Sequence, residues 1–163
     1  MGLLMTARGR QPMPTALETR AASPEAMEHF RTAIELDANL TVAHINLGNA
    51  LEAQGQISEA LEHYQRAFAA DPKSVVACTL AGKVCARLGD DEQAVEYLTA
   101  AVAIDPDNAM PHYVLGLSYG TTGRLDKAIA CLERALELQS DFPQARQYLE
   151  LVRRLKVQAD TAE

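Results

Sequence analysis

The side chains able to do chemistry are few and regularly placed. His44, Cys78 and His112 stand 34 residues apart, and so do His29, His63, Tyr97 and Cys131. A metal would need its ligands about 2.0–2.3 Å away. Equivalent positions on stacked helices instead lie about 8–10 Å apart per step, so these columns predict packing, not ligation. Cys78 and Cys85 are seven residues apart on one predicted helix, about 10 Å in backbone terms, which is too far for a disulfide. The acidic run Asp90-Asp91-Glu92 opens a helix, where the dipole favours negative charge. The glycines are single, so there is no phosphate-cradling loop. No catalytic residue, metal ligand or cofactor site is expected, and the chain reads as a non-enzyme. The remaining polar groups of interest are Asn46, Asn49, Lys83 and Arg87.

The elements that carry these residues repeat. Glycines at 48, 82 and 116 share one column, and those at 55, 89 and 123 another. Alanines recur at 60, 94 and 128 and at 67, 101 and 135, and Asp71-Pro72 recurs as Asp105-Pro106. The unit is 34 residues, with whole copies at 41–74, 75–108 and 109–142. Each copy shows two stretches of helical apolar spacing. In the first, residues 41–54 carry Val42, Ile45, Leu47 and Leu51, and residues 57–70 carry Ile57, Ala60, Leu61, Tyr64, Ala67 and Phe68. Gly55 suits a left-handed helix end, and Pro72 disfavours helix in the residue before it. Mid-helix glycine at 48, 82 and 116 costs about 1 kcal/mol against alanine. Close packing of the two helices, with Ala60 on the facing helix, offsets that cost. A single hairpin cannot bury both faces, so the copies must stack.

The residues of this repeat resemble the tetratricopeptide repeat, whose pattern is W-x2-L-G-x2-Y, A-x3-F and P. The copies read His44-x2-Leu47-Gly48-x2-Leu51 with Ala60-x3-Tyr64 and Pro72, then Cys78-x2-Ala81-Gly82-x2-Cys85 with Ala94-x3-Leu98 and Pro106, then His112-x2-Leu115-Gly116-x2-Tyr119 with Ala128-x3-Leu132. The tryptophan is missing throughout, and Ser140 replaces the last proline. The resemblance implies an all-α, right-handed α-α superhelix with three full helix-turn-helix repeats, an N-terminal half repeat and a C-terminal capping helix. Ser23, Pro24 and Glu25 open the half repeat at 23–40, whose helix reads across 24–38. Its partner helix would lie at 7–20, where Pro12 and Pro14 leave room only for a short helix from about Thr15. Pro143 opens the cap at 143–157, with Ala145, Leu149, Val152 and Leu155 inward and Arg146, Arg153, Arg154 and Lys156 outward. The repeat domain is thus 23–157, between an N-terminal segment at 1–22, expected to be flexible, and a tail at 158–163.

In this family the first helix of each repeat lines a concave groove where peptides bind. The resemblance maps that groove onto Val42, Ile45, Asn46 and Asn49, with Glu52 and Ala53, in the first copy. In the second it falls on Val76, Thr79, Leu80, Lys83 and Arg87, with Ala86. In the third it falls on Met110, Tyr113, Val114 and Leu117, with Gly120 and Thr121. Co-chaperone members grip a C-terminal carboxylate with a Lys/Asn/Arg clamp. Here only Asn49 matches it, and Ile45, Leu80, Met110 and Val114 occupy the other places. Asn46 likewise is a single rung of the asparagine ladder found in O-GlcNAc transferases. A mainly apolar groove with a polar strip suits an amphipathic helix or an extended peptide. Lys83 and Arg87 share a helix face and would meet either a ligand acid or Glu52.

Composition agrees with an adaptor. The formal charge is −7, from 15 Lys+Arg against 22 Asp+Glu, which disfavours nucleic acid. Three cysteines cannot all pair, which suits a reducing, cytoplasmic setting. No transmembrane segment or secretory leader is expected. Met1-Gly2-Leu3-Leu4-Met5-Thr6 fits the loose myristoylation pattern and reads as a chance match. The expected partner is another protein, through a peptide or helix. Self-association as a structural scaffold is the alternative, and a regulatory module of an enzyme such as a glycosyltransferase a third reading. Residues 1–13, with Leu3, Leu4, Met5, Arg8 and Arg10, read either as a disordered leader or a misassigned start codon, or as a strand-like tail that folds back over the groove or the helix at 24–36.

Overall fold

The computed structural model describes residues 23–161. Among the described residues there are eight helices and no strand. They are α1 (Pro24–Leu36), α2 (Thr41–Ala53), α3 (Ile57–Ala70), α4 (Val75–Leu88), α5 (Asp91–Ile104), α6 (Ala109–Thr121), α7 (Leu125–Leu138) and α8 (Pro143–Asp160). The pairs α2/α3, α4/α5 and α6/α7 are the three hairpins, and each second helix packs on the first helix of the next pair. This is a stacked α-α solenoid, with α1 at one end and α8 at the other.

Local chemistry sets the ends. Ser23 and Ser74 accept from the amides of Ala26 and Ala77, and Asp90 and Asn108 from those of Gln93 and Met110. Each bond satisfies an amide that the first turn leaves orphaned. The inter-helix turns need a positive φ, and Gly55, Gly89 and Gly123 supply it at 80°, 84° and 73°. Asp37 leaves the helix region at φ −142°, so α1 stops at Leu36, short of the expected 38. Helix α2 stops at Ala53, one residue before the expected end. Helix α8 continues to Asp160, three residues past the expected 157.

The core runs along the stack. Met27, Leu47, Leu51, Ala60 and Tyr64 fill its first part. Cys85, Ala94, Leu98 and Leu115 fill the middle, and Leu132, Phe142, Leu149 and Val152 the last part. The mid-helix glycines do bring the helices together, with Ala60 on the facing helix α3. A Cβ on Gly48 would meet the Tyr64 ring at 2.6 Å. The close partner is therefore the large residue four positions after the alanine. The expected partner helix at 7–20, the short helix from Thr15 and the fold-back of residues 1–13 lie outside the described residues.

Candidate peptide-binding groove

The first helices of the hairpins, α2, α4 and α6, share one face whose residues recur every 34 positions. At their N-terminal ends stand Val42, Val76 and Met110, exposed by 63%, 55% and 48%. Large apolar side chains this bare in one column are not explained by packing among the described residues. Further along, Ile45, Asn46, Leu80, Tyr113 and Leu117 are half-buried and Asn49 is exposed.

Two expected groove residues are not available to a ligand. Val114 is 5% exposed and packs with Cys85, Leu98 and Leu115. Thr79 is 9% exposed, and its hydroxyl donates to the Val75 carbonyl at 2.7 Å. Val114 turns into the α4–α6 contact. The Tyr113 ring lies 4.7 Å, centre to centre, from that of Phe142, so part of it supports the segment entering α8.

The polar strip is a connected network. Lys83 Nζ reaches Glu52 Oε1 at 3.1 Å, and Arg87 Nη1 pairs with the same oxygen. Of the two alternatives for Lys83 and Arg87, the internal acid is thus present. Tyr64, from the second helix α3, lies 3.1 Å from Glu52 Oε2 and 2.8 Å from the Asn49 side-chain oxygen. One hydroxyl proton serves one of these. With the Asn49 amide turned to donate to the phenol oxygen, the hydroxyl donates to Glu52 and both contacts are satisfied. Burial, and then the Glu52 carboxylate, push the Tyr64 pKa up, so the hydroxyl stays a donor.

Sequence reasoning did not assign Tyr64 to this face. The signal was present: Leu98 and Leu132 occupy its column in the other copies, and a buried phenol needs a partner that leucine does not. It also missed Tyr148 of α8. A Cβ on Gly120 would lie 2.6 Å from the Tyr148 hydroxyl oxygen. The glycine, where Glu52 and Ala86 stand in the other copies, lets α8 lean against the third row.

The histidine column serves the scaffold. His44 is 1% exposed, and its Nε2 meets the Ala38 carbonyl at 3.1 Å, while His112 Nε2 meets the Pro106 carbonyl at 3.0 Å. Each therefore ties a helix to the linker six residues before it. His44 Nδ1 then accepts from His63 Nδ1 at 2.9 Å. Among the described residues no three His, Cys, Asp or Glu side chains come together to hold a metal. Burial raises the thiol pKa of Cys78 and Cys131 and lifts that of Cys85 to about 11, which disfavours the reactive thiolate. No described helix is long and apolar enough to cross a membrane.

Comparison with known proteins agrees with this geometry. The chain superposes on a crystal structure of MamA with a TM-score of 0.78, 24% identity, and coverage of 92% of this chain and 89% of that one. MamA residues 41 to the end from Desulfovibrio magneticus RS-1 give 0.77, with 25% identity over 90% of this chain and 85% of that one. The first repeat domain of Spaghetti (RPAP3), bound to the HSP90 peptide SRMEEVD, gives 0.71, with 24% identity over 74% and 96%. No curated protein matches the sequence. Such repeats generally serve as non-catalytic interaction modules, and the fold suggests an interaction adaptor or scaffold. Tetratricopeptide repeat models match residues 45–109 and 109–150, together more than half of the chain, which belongs to the tetratricopeptide repeat family.

Proposed function

We propose that the protein is a non-enzymatic adaptor that binds a peptide or an amphipathic helix of another protein along the face shared by α2, α4 and α6. The observation that carries this reading is the exposed row Val42, Val76 and Met110, one residue per repeat. Helices about 8–10 Å apart present such a row as evenly spaced anchors, and an apolar ligand face can bury all three. Half-buried Leu80 and Leu117 extend the apolar floor, and Asn49 offers polar contacts beside it.

The test is affinity capture with the intact chain and with a Val76→Asp/Leu117→Asp variant whose helicity matches the parent. Partners retained by the parent and lost by the variant support the groove. Partners retained equally by both place binding elsewhere and sink the reading. Light scattering on the same samples addresses self-association: a monomer across micromolar concentrations opposes the scaffold alternative.

A further inference from the structure

Resting on the groove reading, we propose that the groove selects an acidic amphipathic segment, one of whose carboxylates seats between Lys83 and Arg87, with Glu52 as a resident carboxylate that partly occupies the same pair. The charge count is the first support. Lys83 and Arg87 converge on one oxygen of one carboxylate, so a positive charge remains uncompensated at the junction of α2 and α4. Both cations stay open to solvent, with side chains 40% and 37% exposed, whereas Glu52 is held at 16%. An ammonium and a guanidinium carry more donors than the two contacts to Glu52 use. A second carboxylate can therefore join the pair without displacing the first.

The register supplies the second support. Arg154 of α8 stands in the column of Glu52, Ala86 and Gly120, is exposed, and forms no ion pair among the described residues. The groove columns thus carry three bases against one acid, on a chain whose overall formal charge is −7. A basic groove on an acidic body draws in acidic segments and repels basic ones. The bases lie toward the C-terminal ends of the inner helices and the Val42–Val76–Met110 row at their N-terminal ends. The fitting ligand carries acids along one edge and apolar residues along the other.

Glu52 gives this proposal its sharpest consequence. If Glu52 served only to hold the inner helices together, removing its charge would weaken ligand binding. As a resident carboxylate that partly neutralises the pair, its removal leaves both cations fully charged toward the ligand and strengthens binding of acids.

The probe is a displayed library of randomised 12-residue peptides selected against the full chain. Groove binders are those that lose binding to the Val76→Asp/Leu117→Asp variant. The expected result is that they are enriched in Asp and Glu beside apolar residues. Their affinity should fall about ten-fold or more in Lys83→Gln/Arg87→Gln and rise about three-fold in Glu52→Gln, both effects shrinking at high salt. Circular dichroism confirms that each variant is folded. Groove binders that are neutral or basic, or whose affinity ignores Lys83, Arg87 and Glu52, overturn this proposal and leave the groove reading standing. Binders indifferent to Val76→Asp/Leu117→Asp overturn both. A library that yields no binder overturns the proposal, and dimers in light scattering would then identify a second copy as the occupant.

Discussion

Gly82 lies against Leu98 so closely that a Cβ on the glycine would stand 2.6 Å from Leu98 Cγ and 3.1 Å from the Ala94 carbonyl oxygen. Leu98 is fully buried, so neither side can move without disturbing the middle hairpin. Gly82→Leu is expected to lower stability by about 3 kcal/mol or more, at the upper end of overpacking penalties. Thermal unfolding monitored by circular dichroism checks it. A variant that melts like the parent would show that α4 and α5 are not held in tight contact here.

The Tyr64 hydroxyl reaches Glu52 and Asn49 across the same kind of contact. Tyr64→Phe keeps the ring that fills the space beside Gly48 and removes only the hydroxyl. The expected loss is about 1.5–3 kcal/mol, that of a hydrogen bond to a charged group. Chemical denaturation should show it as a lower midpoint with an unchanged slope. No change would mean that the hydroxyl contacts do not contribute to stability.

Much of this organisation was legible in the sequence because it repeats. The 34-residue columns located the turns at Gly55, Gly89 and Gly123 and the hairpins between them, since glycine and proline act on the backbone locally. Individual contacts were harder to read. Ala60 and Tyr64 lie one turn apart on the same face of α3, so spacing alone could not say which side chain comes nearest Gly48. Thr79 and Val114 share columns with half-exposed Ile45 and Asn46. The burial of Val114 follows from how closely α4 and α6 approach each other, a tertiary property without a local signature. Tyr148 reaches Gly120 only because α8 packs beside α6, outside the exact repeats.

His63 predicts a pH dependence. Burial first, then the neighbouring His44 and Arg66, lower its pKa below the ordinary histidine value, against the weaker pull of Glu62 and Glu59. The unfolded chain therefore binds the proton more readily than the folded one. This contribution to stability is complete above about pH 6.5 and is lost as pH falls from there through the folded value. His63→Gln should flatten the difference in melting temperature between pH 7.5 and pH 5. An equally steep decline in the variant would place the dependence on other groups.

The thiols should be slow to react. Cys78 and Cys85 are fully buried, and the Cys85 pKa is raised to about 11. Native protein at pH 8 is expected to expose at most Cys131 to an aromatic disulfide reagent on the minute timescale, and all three after unfolding. Rapid reaction of all three in the native state would contradict the packing of α4 against α5.

The central claim is that another protein docks on the face shared by α2, α4 and α6. Its most direct measurement is backbone and methyl NMR of the full chain titrated with a peptide selected from the randomised library. The account predicts shifts concentrated at Val42, Val76, Leu80, Met110 and Leu117, with the outward positions of α3, α5 and α7 unmoved. Shifts confined to those second helices, with the Val42–Val76–Met110 row unperturbed at saturation, would contradict it.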